Sequence, residues 1–213
     1  NLSYAEVAEL AYFGARIVHA HMIGLLQESK MPLRIRNVYR PQQPGTLIHG
    51  RTANKKHTIK AVTSIQGIGL NVMRSGSLST IYKVIDAAVQ EGTGNTADVT
   101  ISAQSSSRTF ICVVIPPIIG PEGTNITKKR LKHHLEAHPE TADWSVDTVS
   151  VITLIGTDIS KQPGLIAQVF TILGEIPVLA VSQGPDAYNL SLVVNVDDAI
   201  QAVERLHTLT TPE

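Results

Sequence analysis

Two segments of this 213-residue chain place polar and glycine residues where they could hold a small charged ligand. Arg74-Ser75-Gly76-Ser77 precedes an apolar run opening at Leu78, and Thr157-Asp158-Ile159-Ser160-Lys161-Gln162-Pro163-Gly164 precedes one opening at Leu165. If each run is a helix, its first N–H groups lack partners and carry a partial positive charge, which suits a carboxylate or phosphate. A small amino acid could set its carboxylate there and its ammonium on nearby strand carbonyls. Ser, Asp and Gly ahead of a helix serve equally well as plain caps. The remaining candidates are weaker. Gly67-Ile68-Gly69 lacks the third glycine of a dinucleotide fingerprint, and the chain has no Gly-Lys-Ser/Thr phosphate loop. His134 and His138 share a helical face, but no carboxylate or Cys joins them at metal-ligand spacing. Cys112 lies between Ile111 and Val113 and reads as a small buried hydrophobe. Asn125-Ile126-Thr127 fits a glycosylation acceptor, with nothing marking the chain as secreted. With no nucleophile–base pair and no metal cluster, binding is favoured over catalysis.

The elements that must position these loops can be read from periodicity. Ser3 and Glu6 form a capping box, followed by Val7, Leu10, Ala11, Gly14, Ile17 and Val18 on one helical face. A glycine inside a helix costs about 1 kcal/mol against Ala, so Gly14 implies a close neighbour. Leu33–Val38 alternates like a half-exposed strand, and Leu47-Ile48 could start another. Residues 1–52 thus offer one helix and one or two strands, too little for a core of their own. Beyond them, Ile59–Ile65 and Ile68–Met73 read as strands parted by Gln66-Gly67. A helix from Leu78 should stop at Gly92, and Val99–Ser102 and Thr109–Ile115 should be strands. A basic helix opening at Thr127 ends before Pro139. The last third repeats this plan: strand Val149–Ile155, a helix with Pro163 in its first turn, strands Val178–Ser182 and Leu190–Val196, and a closing helix after Asp197. Ser102–Val114 matches Ser182–Val194 at a constant offset. Strand–helix–strand–strand–helix, once per copy, is a ferredoxin-like unit before its last strand, an α+β fold with all helices on one sheet face. In that order the strand after each helix is expected beside the loop, bringing Ser102 and Gln104, or Ser182 and Gln183, close to it.

Composition removes other classes. Eighteen basic residues balance eighteen acidic ones, and with nine aromatics the chain lacks the basic excess of a nucleic-acid surface. No apolar run approaches the roughly 18 residues of a bilayer span, so neither nucleic acid nor membrane is an expected partner. A single Cys cannot form an internal disulfide, which fits a reducing, cytoplasmic setting. The start at Asn1, without Met, suggests a piece of a longer protein.

The segment Ser3-Tyr4-Ala5-Glu6-Val7-Ala8-Glu9-Leu10-Ala11-Tyr12-Phe13-Gly14-Ala15-Arg16-Ile17-Val18-His19 resembles the helix near the end of the aspartokinase catalytic domain. Pro32–Asn37 and Pro44–Ile48 look like the segment closing that domain, and Lys60–Ile65 with Gly67 like the entry to its regulatory region. Gly156–Phe170, with Gln162-Pro163-Gly164, and Ser182-Gln183-Gly184 resemble its second ACT domain. The resemblance covers essentially the whole chain. It implies a kinase-domain tail over 1–52, a first ACT-like domain over 66–140 and a second over 148–210, with strand 58–65 belonging to the second. It implies a parent enzyme that phosphorylates L-aspartate with ATP and Mg, at the start of lysine, threonine and methionine synthesis. It also implies feedback by lysine or threonine at ACT–ACT interfaces of a homodimer. Arg16 and Ile17 match a Lys-Val pair that contacts ATP. From the loops, the strands expected beside them and this resemblance together, the candidate effector residues are Ser75, Gly76, Ser77, Leu78, Ser102 and Gln104 in the first repeat, and Asp158, Gln162, Pro163, Gly164, Leu165 and Gln183 in the second. The family's Lys-Phe-Gly-Gly-Thr-Ser phosphate motif is absent, so this chain alone is expected to be inactive, needing no cofactor and missing its catalytic domain. Two rivals remain: a free-standing ACT sensor, and a purely structural dimerisation module, which the missing Pro-Gly in the first repeat's loop would favour.

Overall fold

A computed structural model describes residues 1–15, 17–18, 20–50, 59–73, 77–138, 143–184 and 188–210. The tail folds as β1 (Leu2–Ser3), α1 (Tyr4–Tyr12), α2 (Ala20–Glu28), β2 (Leu33–Ile35) and β3 (Thr46–His49). Its three strands form a small sheet of order β1-β3-β2, on which Tyr4, Val7, Ile23 and Ile48 make a buried cluster. The single helix expected here is two helices. The chain breaks after Tyr12 because Gly14 adopts φ +91°, a left-handed conformation that ends the helical run. The close neighbour implied by Gly14 is Ile65, whose side chain lies 3.3 Å from where a Cβ on Gly14 would be.

The rest is one six-stranded antiparallel sheet of order β5-β6-β4-β7-β9-β8. It comprises β4 (Ile59–Met73), α3 (Leu78–Thr93), β5 (Val99–Gln104), β6 (Arg108–Val114), α4 (Gly120–Glu136), β7 (Trp144–Gly156), α5 (Leu165–Leu173), β8 (Ala180–Gln183), β9 (Asn189–Asn195) and α6 (Ala199–His207). The two β-runs expected on either side of Gln66-Gly67 are a single fifteen-residue strand. That continuity lets β4 serve both repeats. Its residues 67–73 pair with β6, while Ile59–Ile65 pairs with Val151–Gly156 of β7. Strand β7 does the converse, pairing through Val149–Ile155 with β9 and through Trp144–Val149 with the far half of β4. Each repeat therefore takes its fourth strand from its neighbour, which completes two ferredoxin-like βαββαβ units on two shared strands. The offset between repeats survives in three dimensions: Ser102 pairs with Ile111 as Ser182 pairs with Ser191.

Alternation along the shared strands sends even-numbered side chains to the helices. Ile68, Leu70, Val72 and Val146 pack under α3 and α4, and Ile152, Leu154, Leu190 and Leu192 pack under α5 and α6. The opposite face is covered as well. The sheet curls until β5 and β8 approach each other, and Ile65, Cys112, Val149, Val151 and Val193 form a third cluster into which Phe13 inserts from the tail. Burying that ring contributes about 1.5–3 kcal/mol to holding the tail on the sheet.

Three local expectations differ from the structure. Helix α3 does not stop at Gly92 but at Gly94, which takes φ +74°. Gly92 instead gives α4 its approach, since a Cβ there would lie 2.8 Å from Thr127 Cα and strike Thr127 Oγ1. Helix α4 begins at Gly120 rather than Thr127, whose buried hydroxyl donates to Gly123 O at 2.9 Å from mid-helix. Pro163 lies outside α5, ahead of the N-cap Gly164, where a short 3-10 turn over Ile159–Lys161 occupies the loop.

Candidate functional site

The two loops open at opposite ends of the shared strands. Twelve register steps separate the Ile59–Gly156 pair from the Val72–Trp144 pair, roughly 40 Å at about 3.3 Å per residue. Arg74, Ser75 and Gly76 lie outside the described residues; Ser77 and Leu78 are described. Ser77 is the N-cap of α3, and its hydroxyl accepts from Ser79 N at 3.2 Å, so this helix start satisfies itself. Ser102, on edge strand β5, lies 3.5 Å from the Tyr82 hydroxyl of α3, and Gln104 ends the strand exposed. Neither is on the strand beside β4, because β6 intervenes. The same correction holds in the second repeat, where β9 separates Ser182 and Gln183 from β7. A ferredoxin-like order places the third strand, not the second, next to the first.

The second loop is built differently. Asp158 adopts φ +54°, a left-handed turn that carries the chain off the end of β7, and its carboxylate lies 2.9 Å from Lys161 Nζ. The N–H of Lys161 donates to Asp158 O and that of Gln162 to Ile159 O, closing the 3-10 turn, with Ile159 buried as its anchor. Pro163 and Gly164 are exposed, and Leu165 is buried beneath them. Gly164, at φ +77°, has no side chain to cap α5, and Gln162 Oε1 is buried without a hydrogen-bond partner. A buried acceptor beside an uncapped helix start offers complementary groups: N–H donors for a carboxylate and an amide oxygen for an ammonium.

Sequence reasoning missed what supports this loop from behind. Thr157 is buried and donates through Oγ1 to Glu6 Oε1 at 2.7 Å. Glu6, on α1, has no exposed surface; its other oxygen accepts from Ser3 N at 2.7 Å, and Lys60 Nζ lies 2.9 Å from Oε1. Burial alone would raise this carboxyl's pKa, but the donors from Ser3, Thr157 and Lys60 outweigh it and hold the pKa below the usual 4.5. Alongside, Asn189 Nδ2 donates to Glu9 Oε2 at 2.5 Å, and the Tyr12 hydroxyl donates to Asp98 Oδ1 at 2.8 Å. Burial and that carboxylate push the Tyr12 phenol up to about 12. Helix α1 thus touches both repeats. The Ser3–Glu6 capping box was the visible signal, and it concealed the carboxylate's second duty.

Arg16 lies outside the described residues, and Ile17 sits half-exposed in the turn after α1. Among the described residues no group of three or more His, Cys, Asp or Glu side chains is placed to hold a metal ion. His134 instead faces Glu91 across the α3–α4 contact, 3.0 Å away, and no described helix is long and apolar enough to cross a membrane.

The ACT domain family profile matches residues 152–209. A bifunctional aspartokinase/homoserine dehydrogenase of Haemophilus influenzae is 26% identical over 209 residues, covering 97% of this chain and 26% of that protein. The crystal structure of Clostridium acetobutylicum aspartate kinase superposes with a TM-score of 0.76 at 18% identity, covering 98% of this chain and 48% of the other. Aspartokinase III of E. coli in complex with lysine and aspartate gives 0.69 at 23% identity, covering 97% and 45%. The chain spans about a quarter of the length of that curated relative and under half of those structures. Residues 152–209 are thus similar to ACT domains, and over nearly its whole length the chain shares the fold of aspartokinase structures and a sequence likeness to aspartokinases.

Proposed function

We propose that this chain is the amino-acid-sensing part of an aspartokinase, with a catalytic-domain tail through residue 52 and two ACT units that share β4 and β7. In the parent enzyme a catalytic domain would use ATP with Mg to phosphorylate L-aspartate, and Arg16 and Ile17 would lie at its nucleotide edge. The chain alone carries the signal, not the reaction. The observation that carries this reading is the contrast between the two helix starts: Ser77 caps α3, whereas α5 begins uncapped beside the unpartnered Gln162 Oε1. That contrast supports the second loop as the effector site, where Asp158 and Lys161 would shape it and Gln162 and the α5 N–H groups would make contact. The first repeat, with Ser102 and Gln104 near an exposed edge, serves instead to pair with a second copy.

The effector is a small amino acid. Lysine is favoured over threonine by the lysine complex of the E. coli relative. Its effect on the catalytic domain is bounded by its difference in affinity for two arrangements of the chain, typically about 1–3 kcal/mol. Calorimetric titration with lysine and then threonine, micromolar to millimolar, tests this. Saturable heat at one or two equivalents per chain supports sensing. No heat from a folded dimeric sample refutes it and leaves a dimerisation module.

A further inference from the structure

One carboxylate ties three distant parts of the chain together. Glu6 stands in the first turn of α1, Lys60 at the start of β4, and Thr157 directly after β7, where the effector loop begins. Ser3 N and Ser3 Oγ donate to Oε2 at 2.7 and 3.0 Å, and Thr157 Oγ1 donates to Oε1 at 2.7 Å. Lys60 Nζ reaches both oxygens, at 2.9 and 3.0 Å, and also Asn1 O at 3.3 Å. A capping box needs only one carboxylate oxygen, and here the second is spent on the loop. Because Glu6 is wholly buried, water cannot replace a donor that withdraws.

We infer that the Glu6 carboxylate is the joint through which the loop after β7 and helix α1 of the tail hold each other in place. The loop starts its left-handed turn at Asp158, one residue beyond Thr157, so a movement of the loop pulls first on the Thr157 hydroxyl. Losing that donor leaves Oε1 to Lys60 alone and loosens the Oε2 contacts that cap α1. Phe13, at the other end of α1, carries the disturbance into the cluster beneath both repeats. Glu6, Lys60 and Thr157 are positioning residues; none of them needs to touch a ligand. The part of this inference that involves an effector rests on the sensing role proposed above, and the mechanical part does not.

Amide hydrogen exchange on the whole chain separates the two parts. Thr157→Val keeps the side chain's shape and removes the donor. Exchange across Ser3–Phe13 should accelerate about ten- to hundredfold, the effect of losing a charge-assisted hydrogen bond, while α3 stays protected. Thr157→Ser, which restores the hydroxyl, should return to the wild-type rate. Unchanged exchange in α1, or an equal acceleration in α1 and α3, overturns the inference. Lysine is then added to wild type and to Thr157→Val. Heat of binding in both, with a change of α1 exchange in wild type only, supports the joint as the route of regulation. Heat in both with the same α1 response overturns that route. No heat with wild type refutes the sensing role and leaves the mechanical result from the variants to stand or fall by itself.

Discussion

Removing the cation from the buried Glu6–Lys60 pair should be expensive only while Glu6 keeps its charge. Lys60 has 12% of its side chain exposed and Glu6 none, so Lys60→Met leaves a carboxylate with no route to water. Breaking such a pair by deleting one partner costs about 3–5 kcal/mol. For a chain of this size, at about 2–4 °C per kcal/mol, that is a melting-point loss of roughly 6–20 °C. In a Glu6→Gln background the same substitution removes no ion pair, because the side chain is neutral: its single amide oxygen can accept from Ser3 N while its NH2 donates to the Thr157 hydroxyl, and the loss of Lys60 should cost under about 1 kcal/mol. The pH dependence carries an independent sign. Glu6 titrates below its usual 4.5 in the folded chain, so the stability it contributes is fully present above that unfolded value. It disappears as pH falls through the lower folded value. Urea unfolding followed by circular dichroism, at neutral pH and at steps below pH 5, reads both effects. Glu6→Gln should flatten part of the acid limb. Equal costs of Lys60→Met in the two backgrounds, or an acid limb that Glu6→Gln leaves unchanged, would refute the reasoning.

Gly92→Ala reverses a helix-propensity argument: propensity alone promises a gain of about 1 kcal/mol, but the new Cβ meets Thr127 Cα at 2.8 Å. A net loss of about 1–3 kcal/mol in denaturant midpoint is expected, and a gain would show that α3 and α4 can part without cost. Cys112 has no exposed surface, and burial pushes its thiol up to about 12. Ellman's reagent should therefore leave the native chain unmodified at pH 8 and label one thiol in urea; rapid native labelling would contradict the packing of the third cluster. Gln162→Ala and Asp158→Ala should each weaken effector binding by calorimetry with little change in melting temperature, and normal binding by both would remove the second loop as the site. Phe13→Ala should cost about 3–5 kcal/mol and speed proteolysis within residues 1–50, whereas unchanged cleavage would mean that the tail is held by its hydrogen bonds alone.

What could be read from the amino acids was whatever depends on near neighbours or on repetition. The Ser3–Glu6 box, the apolar faces of α3 and α5, and the hairpins Ser102–Val114 and Ser182–Val194 all follow from short-range periodicity. The likeness of the two hairpins was enough to find the repeat. The loops were legible for the same reason, since polar and glycine residues before an apolar helix form a local pattern. That pattern did not tell a capped helix start from an open one, because Ser77 and Gly164 differ in whether a side chain turns back onto the helix.

The tertiary structure decided everything that depends on partners far along the chain. Gln66-Gly67 looked like a break between strands. It lies within one strand because β6 and β7 flank it on both sides and hold it extended. Gly92 looked like a helix stop, yet it is the point at which another helix approaches. Glu6 looked like a residue serving its own helix, and its second oxygen meets a threonine 151 positions away. Alphabet and spacing specify which torsions and faces a segment prefers. Which of its groups are buried, and against what, is settled only when the two long strands pair and desolvation makes each remaining polar contact obligatory.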